Sequence, residues 1–270
     1  MRREGSALVR LLHHEGTPVV VRAFAVSDAV RLRAEAADDI SAAYGIDRMR
    51  FALGLDHDVR PFIRAFRSHP LLRTSLLRRP WLRPRRRPEP FEALAWAVTE
   101  QLIESGRAAE IQRRLVFRHG RSHSRLRDAP DAAALASRAP SELCSAGLAP
   151  KRSLAMIRAA REVARGRIDL TEHEPAWRRL LAISEVGPWT IDCLALHGQG
   201  RDDRVPAGDL AYVVLVGRME KLGRRATEPE VREWFEPFAP YQALAGMHLL
   251  RVPLPAGARS YTPRPGSAAA

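Results

Sequence analysis

At 270 residues with 46% hydrophobic content, the chain is long enough for one large or two modest domains with a buried core. Lysine and arginine number 44 against 31 aspartates and glutamates, and the net charge of +13 points to a polyanionic partner, with nucleic acid first and an acidic membrane surface second. Two cysteines, Cys144 and Cys193, exclude a disulfide framework or a four-cysteine iron-sulfur cluster, no apolar run approaches the ~20 residues of a membrane span, and the N-terminus lacks the apolar core of a signal peptide, so a cytoplasmic protein with no membrane partner is expected.

Residues 1–55 read as a small α/β unit. Ala7 to His13 and Pro18 to Ala25 are strand-like and joined by the turn-prone Glu15-Gly16-Thr17, and Ser27 stands where it would cap a helix running to about Ala37. From Asp56 the pattern is helical almost throughout, with Phe62 and Phe66 on one face. A basic, Pro-punctuated connector from Arg78 to Pro88 reads equally as a solvated linker or as a contact to a DNA backbone. Helices are then expected at about Phe91 to Glu104, Ala108 to His119, Asp131 to Ala136, Lys151 to Arg165, Leu210 to Leu222 and Tyr241 to Leu250. This gives a helical body over 56–252, while 253–270, rich in Pro, Gly, Ser and Ala, reads as a mobile tail.

The most informative segment is Leu180 to Tyr212, which reads as helix, tight turn, helix, loop, aspartate, helix. Ser184 to Gly187 break the apolar period, and Pro188 occupies a first helical position, where its missing N–H costs nothing. The helix from about Trp189 to Leu196 then points free N–H groups and a positive dipole end outward, which favours an anion such as phosphate. Asp209, at the start of the next helix, is on position alone an N-cap. Leu94, Val98 and Leu102 form an ordinary helical stripe, Trp189 reads as core, and His197 and His248 read as structural histidines.

The order of these segments adds a family. GPWT at 187–190 followed by PAGD at 206–209 resembles the helix-hairpin-helix plus Gly/Pro-Asp superfamily of DNA glycosylases, in its DNA-3-methyladenine glycosylase II branch. FEALAWAVTEQLI at 91–103, GLAPKRSLAMIRAAREVARGRIDL at 147–170 and PYQALAGMHLL at 240–250 extend the resemblance over about Leu53 to Arg251. It implies a mainly α glycosylase fold, with the helix-hairpin-helix at about 177–197 and the small N-terminal α/β unit in front. The implied protein is a monomer that acts on double-stranded DNA containing damaged bases, nucleoid-associated when bound, without a cofactor.

The resemblance also assigns roles. Asp209 is the catalytic carboxylate, which stabilises an oxocarbenium sugar or activates water. Trp189, with Trp96 and Tyr212, builds the pocket for the extruded base, and Leu102 fills the gap in the duplex beside Gln101, which contacts the opposite strand or bases. Val186, Gly187 and Thr190 offer backbone or hydroxyl contacts to a phosphate, and hairpin carbonyls such as those of Ile183 and Val186 are candidate ligands of a monovalent cation. Bifunctional relatives carry a lysine where Trp189 stands, so base release without a lyase step is implied. Three positions depart from the pattern: Glu185 replaces the first hairpin glycine, Cys193 stands where many members have an aromatic, and Leu250 where some have a tryptophan. The alternatives are a non-catalytic damage-binding protein of the same fold, or a glycosylase with a different lesion range.

Overall fold

A computed structural model of the chain describes residues 2–252, and the expected tail lies outside the described residues. The chain opens with a four-stranded antiparallel meander, β1 (Arg2–Glu4), β2 (Ala7–His14), β3 (Thr17–Val26) and β4 (Ala29–Glu35), paired in sequence order. Glu15 and Gly16 close the β2–β3 hairpin with φ of 48° and 88°, the double positive φ that suits the twist of paired strands. The expected helix after Ser27 is not formed. Ser27, at φ 48°, sits in a second two-residue turn, and Ala29–Glu35 alternates apolar residues with arginines, a period of two that lays it against β3 as an edge strand.

One face of the sheet is covered by α1 (Asp39–Leu53), capped by Asp38, whose carboxylate accepts the Ser41 N–H at 2.7 Å. Leu12, Val19 and Val21 pack against Met49 there, and the helix comes so close that a Cβ on Gly45 would lie 2.5 Å from Val19 Cγ1. The helical body follows as α2 (Arg60–Phe66), α3 (Arg73–Arg78), α4 (Pro90–Glu100), α5 (Ser105–His119), a short hairpin of β5 (Ser122–His123) and β6 (Leu126–Arg127), α6 (Ala132–Ala136), α7 (Pro140–Ser145), α8 (Pro150–Ala164), α9 (His173–Leu181), α10 (Pro188–Gly198), α11 (Leu210–Met219), α12 (Glu228–Phe235), a 3-10 turn at Glu236–Phe238 and α13 (Gln242–Leu249).

The body has two apolar cores. Leu94, Val98, Leu115, Leu135, Met156, Leu180 and Leu194 join α4 to α10 in the first, and Phe62, Leu72, Leu215, Val231, Phe235 and Leu244 join α2 and α3 to α11, α12 and α13 in the second. The loop between α10 and α11 leaves the first core and enters the second at Val205 and Ala207. The sheet is tied to the body by a buried polar seam. Arg10 donates to Glu92 at 2.7 Å and to Asp128 at 3.1 Å, and His13 Nδ1 lies 3.1 Å from the other Asp128 oxygen.

The basic connector is packed onto the body and is not a solvated linker. Leu82, Pro84 and Pro88 are buried, Arg83 donates to the His57 carbonyl, Arg86 pairs with Asp202 at 3.0 Å, and the Arg87 N–H bonds the His197 carbonyl at 2.6 Å. Its prolines and arginine stems are packing material, and several of its charges are committed within the protein.

Candidate active site and DNA interface

Asp209 is half-buried at the N-cap of α11, and its Oδ1 accepts the Ala211 N–H at 2.8 Å. Its own N–H bonds the Pro206 carbonyl at 2.8 Å, closing the turn that presents it. Among the described residues no hydrogen bond reaches Oδ2, so the cap uses one carboxylate oxygen and leaves the other open. Gly208, just before it, is exposed and lies against Trp189: a Cβ there would stand 3.7 Å from Trp189 Cβ and 3.3 Å from Glu228 Oε2. The aspartate loop therefore passes beside the half-buried indole at the start of α10, with no side chain at Gly208 to separate them.

Behind this edge lie Cys193 and Tyr212, each 5% exposed. Burial, and then the charges of Glu100, Asp209 and Asp192, push the Cys193 thiol well up. Burial, and then Asp209, push the Tyr212 phenol up. Both are neutral groups behind the carboxylate. Tyr212 packs edge-on to Phe235 at 5.5 Å and tightly against Gly246, where a Cβ would meet its ring at 2.8 Å.

The hairpin joins α9 to α10. Gly187 caps α10, Pro188 fills its first position, and the Ile191 N–H closes the first turn on the Gly187 carbonyl at 3.2 Å, which leaves the Trp189 and Thr190 N–H groups ahead of it as end-of-helix donors. Glu185 is exposed at φ 71°, the left-handed conformation that a glycine adopts without strain. Opposite the hairpin, α4 ends earlier than its apolar period suggests. Gln101 turns out of the helix at ψ 126°, and Leu102, at φ 51°, stands 98% exposed. A leucine projected this fully into solvent is not a core residue, and the stripe reading with Leu94 and Val98 ends at Val98.

Four expectations change. Trp96 lies in the first core, its indole N–H donating at 2.9 Å to Glu92, which also receives Arg10; i,i+4 spacing on α4 gives the ring to that seam rather than to a base pocket. The Thr190 hydroxyl is buried and accepts the Gln101 amide at 2.8 Å, so it is not presented to a phosphate. The Val186 N–H bonds the Ile183 carbonyl at 3.0 Å within the turn, which withdraws it as a phosphate donor and occupies one lone pair of a candidate cation ligand. Gln101 gives its amide nitrogen to the Glu185 carbonyl at 2.7 Å as well as to Thr190, so its donors face the hairpin and not a DNA strand. Gly187 keeps an open setting, with nothing within 4 Å of a built Cβ.

Sequence reasoning missed the group that fixes the aspartate loop. Asp192 of α10 is 2% exposed, receives Arg232 of α12 at 2.7 Å and faces Arg204 of the loop at 3.9 Å. Arg232 also bonds Glu228, the residue beside Gly208. Burial holds the Asp192 carboxyl above the ordinary carboxylate range, against the pull of Arg232 and Arg204. Arg201 forks onto Asp203 at 2.8 Å, and the guanidinium groups of Arg201 and Arg204 lie 5.1 and 4.7 Å from the Trp177 ring centre. A lone acid inside the apolar run IDCLALHG carried the signal, because a buried carboxylate requires a cation. His197 and His248 are structural: His197 Nδ1 is held 2.6 Å from the Arg85 carbonyl, and buried His248 pairs with Ser75 at 2.9 Å.

No protein-family model matches the chain. It is similar to a DNA-3-methyladenine glycosylase of Bacillus subtilis, 25% identical over 73% of this chain and 68% of the relative. It is also 29% identical, over 75% of its length, to a probable bifunctional transcriptional activator/DNA repair enzyme AlkA of Mycobacterium tuberculosis, of which it spans 41%. Among solved structures, 3-methyladenine DNA-glycosylase from Archaeoglobus fulgidus superposes with a TM-score of 0.77 over 92% of this chain and 87% of that one, at 21% identity. The 8-oxoguanine glycosylase/lyase of Clostridium acetobutylicum, solved with double-stranded DNA, superposes with a TM-score of 0.70 over 89% and 86%, at 16% identity. With the capped aspartate, the hairpin before α10 and the projecting leucine in place, the chain has the fold of the solved DNA glycosylases and is similar in sequence to DNA-3-methyladenine glycosylases.

Proposed function

We propose that this protein is a monofunctional DNA glycosylase that extrudes alkylated purines of the 3-methyladenine type from duplex DNA and hydrolyses their N-glycosidic bond, the first step of base excision repair. The observation that carries the reading is the juxtaposition, across Gly208, of a carboxylate with one open oxygen, Asp209, and a half-buried indole, Trp189. Breaking the bond leaves positive charge on the sugar, and a fixed carboxylate beside C1′ lowers that barrier. A base alkylated on a ring nitrogen is already a cationic leaving group, so it needs little protonation and stacks well on an electron-rich ring.

Leu102, projecting beside the hairpin, fills the space left by the extruded nucleotide, and the helix-start N–H groups of α10 with Gly187 take a phosphate. The net charge of +13 supplies the general attraction to DNA and supports action in the cytoplasm on the nucleoid. No helix among the described residues is long and apolar enough to cross a membrane. Trp189 offers no amine, and the chain's lysines, Lys151 and Lys221, lie on α8 and beyond α11, so no Schiff base forms and borohydride traps no DNA adduct.

The test is release of methylated purines from duplex DNA under single-turnover conditions by the wild type and Asp209→Asn. The variant is expected to lose about 100-fold or more in rate while still binding a duplex with an abasic-site analogue. Equal release by both would remove Asp209 from the mechanism. Glu185, a carboxylate where DNA is to be gripped, favours a second reading as a non-catalytic damage binder, which gains if the wild type binds that duplex but releases no base from any lesion.

A further inference from the structure

The side chain of Gln101 spans the two parts of the molecule assigned to DNA. It leaves the chain between the last residue of α4 and the projecting Leu102, and its amide nitrogen reaches the Glu185 carbonyl at 2.7 Å and the Thr190 hydroxyl at 2.8 Å. Both N–H groups of the amide are thereby engaged, one on the hairpin turn and one on the first turn of α10. Each end of this bridge carries a strained backbone: Leu102 at φ 51° and Glu185 at φ 71° are left-handed without being glycine. A side chain at 185 prefers other conformations, so this turn needs an outside tie, and the bond to its carbonyl is one.

We propose that Gln101 is a positioning residue that makes hairpin and wedge a single body: its amide holds the Glu185 turn in left-handed form and fixes Leu102 relative to the phosphate-facing start of α10. Seating the hairpin on a phosphate then sets the depth and angle at which Leu102 enters the duplex. Gln101 does so without touching DNA, and its importance is tied to the side chain at 185. The inference rests on the glycosylase reading for the meaning of wedge and phosphate, but not for the coupling itself.

The test is a double-mutant cycle read by affinity for a duplex carrying a tetrahydrofuran abasic-site analogue, with base release from methylated duplex measured alongside. Gln101→Ala is expected to weaken binding of that duplex about tenfold, through the loss of one exposed and one part-buried hydrogen bond that together hold the turn. In a Glu185→Gly background, where glycine takes the turn unaided, the same substitution is expected to cost about twofold or less, because much of the tie is no longer required. Gln101→Glu, which keeps the length and removes both donors, should behave like Gln101→Ala. An equal loss in both backgrounds would overturn the proposal and return Gln101 to direct DNA contact, and full binding by Gln101→Glu would overturn it by showing that neither amide donor is needed. Should the wild type release no base while the background dependence holds, the glycosylase reading falls and the coupling stands. Should release proceed while the dependence is absent, the reverse follows.

Discussion

The hairpin and the aspartate loop lie side by side on α10 and are held in opposite ways. The hairpin turn is exposed at Ser184 and Glu185, carries a left-handed glutamate and is tied from outside by one glutamine amide. The aspartate loop buries Val205, Pro206 and Ala207, stacks two guanidinium groups on Trp177 and is tied through Asp192 to Arg204 and Arg232. A phosphate-gripping turn can adjust to a backbone, whereas a carboxylate that stabilises developing charge is effective only if it is in place before the charge appears. On the proposed function, the difference in bracing follows the difference in task.

The sharpest way to break that contrast is to cut the brace of the better-held half. Asp192→Ala leaves the partly exposed Arg232 and Arg204 facing a vacated site, a loss of about 1–2 kcal/mol because solvent screens the cations left behind. Urea unfolding should show that loss. Base release should fall with it in single-turnover assays even at temperatures where the variant is folded, because Arg232 also holds Glu228 beside Gly208. Release at the wild-type rate would mean that the Pro206–Asp209 turn places the carboxylate by backbone alone.

The same contrast separates what could be read from the chain. The helix start at Pro188 and the cap at Asp209 were legible because Gly, Pro and Asp act locally, through backbone geometry that needs no partner. The sequence of β4 reads as a helix because Ser27 is a competent cap and Ala29–Glu35 is short, so only pairing with β3 decides its form. Trp96 and Thr190 went astray for a related reason: their partners, Glu92 with Arg10 and Gln101, are set by how α4 meets the sheet and α10. Asp192 was silent because nothing near it in sequence shows that Arg232 would reach it. Leu102 fits a core stripe by spacing alone, and only the end of α4 at Glu100 takes it out of that stripe.

On the hairpin side the informative substitution should strengthen rather than weaken. Glu185→Gly removes a strained left-handed glutamate and a negative charge beside the proposed phosphate site. Duplex affinity at low salt is expected to rise by roughly fivefold, corresponding to about 1 kcal/mol. The gain should shrink as salt screens the exposed charge, and stability should rise slightly. Binding titrations at two ionic strengths check it. An unchanged or lower affinity would place the phosphate away from residue 185 and weaken the assignment of the α10 start as the anchor.

Acid should act mainly on the other core. His248 of α13 is buried against Phe62 and Ser75, and burial, followed by the charges of Arg251 and Arg79, pushes it down to about 4. The unfolded chain, with an ordinary histidine near 6.5, takes up the proton first. Stability from this group is therefore fully present above about 6.5 and is lost as the pH falls toward 4. His197, which burial also pushes down, adds the same sign from α10. The expected fall in melting temperature is on the order of 1 °C between pH 7 and 6, steepening below. His248→Gln, which cannot be charged, should flatten the part that belongs to the second core and leave the part due to His197. If the slope is untouched, the acid sensitivity lies with α10 and the hairpin, and the aspartate side is the more robust of the two in this respect as well.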